Sequence, residues 1–441
     1  MTRFDPAGPL RGPLRPPSDK SISHRAALIA AMADGETTIE NYLDAADTRS
    51  TLAAVGQLSA QVEGSAAGAA VISPAMKVGG IGLRGARPAA IDVGNAGTLL
   101  RLLPGWLAGQ EGSTWTLDGD ESIRRRPVDR IVEPLRRMGA HLDARDDRLP
   151  PLEVEGAPLR GVSYELPVAS AQVKSCLLFA GLLAEGETRV IEPLPTRDHT
   201  ERMLAAAGAE IASQALGGEE GSGARVVAVQ PCERLEPGEI VVPADISSAA
   251  FFIVAALLVG GSEIVLEEVG INPTRTGLLT VLERMGAEIE VEPAGEQGGE
   301  PTGTLRVRSA LLRATDVGGA EVPLAIDELP LVALAACFAE GTTTIRDAAE
   351  LRRKESDRIA TVAAALNALG GSVEPTEDGM AIEGTGGLRG GTIHSHGDHR
   401  IAMLGAIAGC ASREGVEVEG MDAAAVSYPG FEADLASLSR A

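Results

Sequence analysis

The chain has 441 residues, 44% hydrophobic and 23% charged, with a formal net charge of −23, a profile expected of a soluble globular protein with two or three domains. Aromatic residues make up 2%, so stacking platforms for bases are scarce, and the negative charge repels phosphodiester backbones; both argue against a nucleic-acid partner. A small anion must therefore be held by a local patch of Lys and Arg.

Met1 to Pro17 lacks the apolar centre of a signal peptide, and the longest apolar run, Ala249 to Val259, is too short to cross a bilayer. Cys176, Cys232, Cys337 and Cys410 stand far apart without paired spacing. A cytoplasmic, reduced protein without membrane contact is expected.

From there the chain repeats. Apolar helix-like stretches begin near Ala26, Leu99, Ser175, Ala249, Leu329 and Arg400, at intervals of roughly 70 to 80 residues. Each leads through a Gly turn, such as Asp34-Gly35-Glu36 or Glu340-Gly341-Thr342, into a short β-branched strand. A more charged helix follows and usually ends at Gly, as in Arg137-Met138-Gly139 and Arg284-Met285-Gly286, where a left-handed cap is expected. An all-round apolar helix is buried and an amphipathic one lies at the surface. Three such units can therefore pack their apolar helices inside a shell of sheet and outer helices. Six units predict an α/β fold of two bodies. One body is expected to span 19–242 and the other 243–441, completed by an N-terminal strand within 1–18, with hinges near 18–20 and 242–246.

The chemistry-bearing residues cluster where helices start. Only Lys20, Lys77, Lys174 and Lys354 are lysine among 39 basic residues. Two of them lie in dense polar runs, Ser18-Asp19-Lys20-Ser21 with Arg25, and Lys354-Glu355-Ser356-Asp357-Arg358. Lysine gives a compact, proton-exchanging charge and arginine a fixed fork, so a site mixing both suits anion binding with proton transfer. The first run precedes a helix expected near Ile22 and reads as both a cap and an anion site. Asp92 to Thr98 is a small-residue turn, and Arg124-Arg125-Arg126-Pro127 is a basic cluster before a Pro-started helix. Ser170-Ala171-Gln172 opens the third apolar helix and suits polar ligand groups. Arg197 reads equally as a phosphate ligand or a surface ion pair. Asp327-Glu328 opens the fifth apolar helix, and Lys354-Glu355 is placed in the next. His394 to Arg400 is a poor metal cluster, since no matched ligand group exists elsewhere and Arg400 would repel the ion.

In order, Asp19-Lys20-Ser21 with Arg25, Gly94 to Thr98, Arg126-Pro127, Ser170-Ala171-Gln172, Arg197-Asp198-His199, Asp327, Lys354 to Arg358 and Asp398-His399-Arg400 resemble the 5-enolpyruvylshikimate 3-phosphate synthase family over essentially the whole chain. The resemblance implies a two-domain inverse α/β barrel of six βαβαββ units, three per domain. It implies a monomer that transfers the enolpyruvyl group of phosphoenolpyruvate to the 5-hydroxyl of shikimate 3-phosphate, with no cofactor and no metal. Ser21, Arg25, Ser170, Gln172, Arg197, Asp327 and Lys354 would hold shikimate 3-phosphate. Gly97, Arg126, Arg358 and Arg400 would hold phosphoenolpyruvate, with Lys20 between the substrates and Asn95 nearby, and Ala171 and His399 would also bind substrate. Asp327, Glu355 and Lys20 would be catalytic. The protons are assigned with Asp327 at the 5-hydroxyl and Glu355 at C3 of the enol, the reverse assignment staying open.

Val426 departs from the pattern, since many members have Lys before the Ser/Thr-aromatic-Pro that here reads Ser427-Tyr428-Pro429. Ser170 to Lys174 and Thr196 to His199 resemble the bacterial class often called glyphosate-tolerant, while Gly97 is the small residue that the family associates with sensitivity, so the resemblance points both ways on inhibitor response. The related UDP-N-acetylglucosamine enolpyruvyl transferases carry a reactive Cys before their Arg-Pro, and Gly119 to Pro127 has none. A non-catalytic anion-binding repeat protein is the alternative of another class.

Overall fold

The structure is a computed structural model and describes residues 1–64, 75–217 and 223–440. It divides into two compact units. One comprises Met1–Asp19, Ala244–Gly295 and Pro301–Ala441; the other comprises Lys20–Pro243 with Glu296–Glu300.

One repeat shows how the sequence makes each sheet. Strand Ala90–Asp92 leads into the apolar helix Gly97–Leu107 and strand Thr114–Asp118, then helix Asp129–Met138 and strands His141–Arg145 and Leu149–Glu155. The first two strands pair in parallel because a buried helix connects them. Leu149–Glu155 then pairs antiparallel with both Thr114–Asp118 and His141–Arg145. Gly139, at φ 106°, ends the charged helix in the left-handed region that favours glycine. The same order recurs in the other four-stranded sheets.

Two strands are out of chain order. Arg11–Leu14 leads to helix Lys20–Met32 yet pairs in parallel with Glu263–Gly270. Glu239–Val241 leads to helix Ile246–Leu258 yet pairs in parallel with Glu36–Glu40. The last repeat ends at helix Phe431–Arg440 without further strands, and Thr2–Phe4 fills the vacant position beside Val416–Glu419.

Each unit has its own hydrophobic core. Helix Ile246–Leu258 is buried at every residue but Leu258, as its lack of a polar face requires. In the Lys20–Pro243 unit, helices Gly97–Leu107 and Ala171–Gly181 pack closely, because Gly105 offers no Cβ to strike the Cys176 carbonyl. The buried Trp106 and Trp115 indoles donate to Leu83 O at 2.8 Å and Arg87 O at 2.7 Å, which avoids the cost of an unpaired buried donor. In the other unit Phe431 packs edge-on to Tyr428 at 5.5 Å and to Phe251 at 5.9 Å, anchoring the C-terminal helix.

Three element boundaries differ from expectation. The first apolar helix starts at Lys20 rather than near Ile22, directly after the bridge between Ser18 and Ala244, which puts Ser21 in its first turn. Arg124 and Arg125 lie in a 3₁₀ turn, Ile123–Arg125, and the helix starts at Asp129 rather than at Pro127. Val128 N donates to Arg148 O at 2.8 Å and holds the chain off the helix there. Lys354 and Glu355 are not helical: they follow the 3₁₀ stretch Ala349–Arg353. The next helix begins at Arg358, where Asp357 accepts from Ala360 N at 3.1 Å.

Candidate active site

In the Lys20–Pro243 unit the sequence-selected residues gather at the starts of its three apolar helices. Arg25, on the second turn of Lys20–Met32, is buried. It donates from Nε to Thr200 Oγ1 at 2.7 Å, from Nη2 to Ser175 Oγ at 2.9 Å and from Nη1 to Ser21 O at 2.9 Å. Its guanidinium thus joins three segments. Lys20 Nζ lies 3.1 Å from Asp47 Oδ2.

Ser170 caps helix Ala171–Gly181, accepting from Val173 N at 3.4 Å. Gln172 accepts from Arg101 Nη1 at 2.7 Å and donates to Thr98 Oγ1 at 3.2 Å, which ties this helix start to that of Gly97–Leu107. Gly97 N donates to Asn95 O at 2.9 Å, and a Cβ on Gly97 would run into the Arg126 guanidinium. Asn95, Gly97 and Arg126 are therefore neighbours. Arg197 is half-buried just ahead of helix His199–Ala206, after Thr196, whose hydroxyl donates to Glu192 Oε2 at 2.6 Å.

In the other unit the centre is Arg358, whose side chain is 1% exposed. Its Nε meets Asp398 Oδ2 at 2.9 Å, Nη1 meets Asp327 Oδ1 at 3.2 Å, and Nη2 meets Glu355 Oε2 at 2.6 Å. Lys354 Nζ reaches the same Asp327 oxygen at 3.3 Å. Arg400 Nη1 donates to Asp327 O at 2.8 Å and pairs with Glu328 Oε1 at 3.2 Å. Asp398 caps helix His399–Ala411 by accepting from Arg400 N at 2.9 Å, and His399 is buried as its first residue. Burial pushes the Asp398 carboxyl up, but the Arg358 guanidinium outweighs this and holds it below the usual range. Two carboxylates, Asp327 and Glu355, thus share one guanidinium, with an ammonium beside the first. Such an arrangement has the groups needed to bind an anion and exchange protons.

Several residues were missed. Asp47, Arg101, Thr200 and Ser175 orient the selected side chains, and each is an ordinary residue whose partner is remote in sequence. Arg275 and Asp245, together with Asp19 and Glu328 from the runs already singled out, form a second buried group. Lys174, noticed only as a rare lysine, is buried between Glu192 and Glu201. Val426 ends a 3₁₀ stretch, Met421–Val426, and is half-buried. The His394 and His396 rings lie 4.5 Å apart, tilted by 42°.

Asp245 carries a pH dependence. Burial, with the nearby Asp19 carboxylate, pushes its carboxyl up to about 6, against the opposing pull of Arg275. A carboxyl raised above its unfolded value of about 3.9 contributes stability that is lost as pH rises through the folded value. Asp245→Asn keeps the cap acceptor to Ser247 N and removes the titration. Its stability relative to wild type should therefore climb between about pH 4 and pH 6, the interval separating the two pKa values, and level off above it. Urea unfolding across that range checks this, and a constant difference would contradict it.

Two bodies of repeated βαβαββ units, with arginine and lysine gathered at the helix starts of one and around paired carboxylates in the other, define a transferase of the enolpyruvyl-transferring class. The chain matches the EPSP synthase (3-phosphoshikimate 1-carboxyvinyltransferase) family model over residues 4–435. A 3-phosphoshikimate 1-carboxyvinyltransferase of a Synechococcus species is 50% identical over 97% of this chain and 94% of its own length. The protein of that name from Thermus thermophilus is 49% identical over 100% and 99%. The solved EPSP synthase of Acinetobacter baumannii superposes with a TM-score of 0.85 at 40% identity, covering 99% of this chain and 97% of that one. The chain belongs to the EPSP synthase family.

Proposed function

We infer that the chain transfers the enolpyruvyl group of phosphoenolpyruvate to the 5-hydroxyl of shikimate 3-phosphate and releases phosphate, a step of aromatic amino acid biosynthesis. The observation that carries the catalytic reading is the pair of carboxylates, Asp327 and Glu355, hydrogen-bonded to one buried guanidinium. Addition requires a proton at C3 of the enol, so that C2 becomes electrophilic, and loss of the 5-hydroxyl proton as it attacks. Elimination requires the new methyl to return a proton as phosphate leaves. Glu355 is assigned to C3 and Asp327 to the hydroxyl. Lys20 stabilises the departing phosphate and bridging oxygen.

Shikimate 3-phosphate is assigned to Ser21, Arg25, Ser170, Ala171, Gln172 and Arg197, with Asp327 and Lys354. Phosphoenolpyruvate is assigned to Gly97, Arg126, Arg358, His399 and Arg400, with Asn95 nearby. The protein is proposed to act as a cytoplasmic monomer; among the described residues no helix is long and apolar enough to cross a membrane. Phosphate release is the test, with shikimate 3-phosphate and UDP-N-acetylglucosamine compared as acceptors. Release with the sugar nucleotide alone, or binding without turnover, would overturn this reading.

Gly97→Ala probes the phosphoenolpyruvate assignment. The added methyl meets the Arg126 guanidinium rather than open space, so that fork, the far end of a flexible side chain, must shift; the fold loses little, while a group assigned to the ligand is displaced. The KM for phosphoenolpyruvate should rise. The inhibition constant for glyphosate, proposed to occupy the same site as the longer ligand, should rise more. Unchanged constants for both would place Gly97 and Arg126 away from the ligand.

A further inference from the structure

Arg275 lies outside every motif that drew attention to this chain, yet it is 3% exposed and surrounded by charge. It sits beyond strand Glu263–Gly270, in the turn where Asn272 Oδ1 accepts from Thr274 N at 2.9 Å and Asn272 O from Arg275 N at 2.8 Å. That turn aims the guanidinium inward. Nη1 lies 3.2 Å from Asp19 Oδ2, and Nη2 lies 3.2 Å from Asp245 Oδ1 and 2.6 Å from Ser247 Oγ. The Ser247 hydroxyl in turn donates to Glu328 Oε1. The same Glu328 oxygen meets Arg400 Nη1 at 3.2 Å, and Arg400 Nη1 also holds the Asp327 carbonyl at 2.8 Å.

We infer that Arg275 is a positioning residue for phosphoenolpyruvate: through Ser247 and Glu328 it fixes the Arg400 fork, and through Asp19 it fixes the residue preceding Lys20. The inference rests on the assignment of Arg400 to phosphoenolpyruvate. The physical reason is the charge balance around Arg400. Glu328 is 1% exposed, and a buried carboxylate next to an anion-binding arginine competes with the ligand for that guanidinium. The Ser247 hydroxyl occupies the Glu328 oxygen that Arg400 uses, which weakens this competition and sets its direction. Ser247 has one hydroxyl proton to give, and Arg275 donates to the Ser247 oxygen, so that proton is directed to Glu328. Without Arg275 the hydroxyl is free to turn toward Asp245 and Glu328 draws Arg400 inward. Arg275 is also the shared counter-ion of Asp19 and Asp245, opposing the rise that burial and Asp19 impose on the Asp245 carboxyl.

Arg275→Lys retains one positive charge but cannot span Asp19, Asp245 and Ser247 with a single ammonium. Ser247→Ala removes the next link with a change of one oxygen. The test is steady-state phosphate release by the full-length chain, with KM for each substrate determined while the other saturates. Both variants should raise KM for phosphoenolpyruvate about tenfold or more, while KM for shikimate 3-phosphate stays within about threefold. A merely structural role would raise both or neither, and either result overturns the inference. If Arg275→Lys does not fold, Ser247→Ala decides by the same criterion. A wild-type chain that releases no phosphate sinks the functional assignment and this inference with it. A wild-type chain that turns over, with variants keeping their KM for phosphoenolpyruvate, sinks the inference alone.

Discussion

Glu355→Gln is expected to lower the rate of phosphate release about 10²- to 10⁴-fold, the usual consequence of removing a general acid or base. The substitution is nearly isosteric, and the amide oxygen can still accept from Arg358 Nη2, which now holds the carboxylate at 2.6 Å. Folding should be untouched, because the Glu355 side chain is 28% exposed and Arg358 keeps two bonds to Asp398, at 2.9 and 3.2 Å. Lys20→Arg should lose turnover on a similar scale for a different reason. Lys20 Nζ stands 3.1 Å from Asp47 Oδ2, and a guanidinium there would fork onto that carboxylate rather than present one compact donor to substrate. Single-turnover phosphate release, with circular dichroism as the folding control, measures both effects. Near-wild-type rates in Glu355→Gln would remove it from the proton-transfer steps, and in Lys20→Arg would show that charge alone suffices.

What was legible in the sequence follows what is local. The six repeats announce themselves because an apolar helix, a Gly turn and a β-branched strand each leave a contiguous mark, and the repeated sheet order follows from them. Helix edges are less legible, since one hydrogen bond decides them: Asp357 accepting from Ala360 N leaves Lys354 and Glu355 outside the helix. Short strands are harder still. Arg11–Leu14 has four residues and no feature naming Glu263–Gly270 as its neighbour.

The candidate site divides in the same way. Runs such as Ser170-Ala171-Gln172 or Lys354 to Arg358 stand out because several polar residues meet at a helix start. Arg275 and Asp19 are 256 positions apart and Arg101 and Gln172 are 71 apart, and nothing in either run names its partner. The pairings arise only when the fold brings them together, making Arg275 and Asp19 counter-ions away from water and Arg101 a donor to the neutral Gln172 amide.

Lys174 illustrates this most strongly, and Lys174→Met should destabilise its unit by about 3 to 5 kcal/mol, the range for removing one partner of a buried ion pair. Its side chain is 1% exposed, with Nζ 2.7 Å from Glu201 Oε1 and 3.0 Å from Glu192 Oε2. Burial lowers the ammonium's proton affinity, but Glu201 and Glu192 outweigh that and leave it raised. Burial likewise pushes the Glu201 carboxyl up, with Lys174 pulling the other way. Methionine matches the aliphatic stem and takes away the charge, which leaves two buried carboxylates without their shared cation. The Glu201 carboxyl must then rise further. A raised carboxyl contributes stability that is lost as pH increases, so the deficit of Lys174→Met should be largest at neutral pH and above and shrink toward acid. Glu192 also accepts from the Thr196 hydroxyl at 2.6 Å, next to Arg197, so the same change should loosen the turn that carries Arg197. Adding Glu201→Gln to Lys174→Met removes one stranded charge and should recover part of the loss. Urea unfolding at pH 5.5 and pH 8 measures all of this. A deficit under about 1 kcal/mol, within the range of a surface pair, or one indifferent to pH, would mean that the ammonium is replaceable by packing alone.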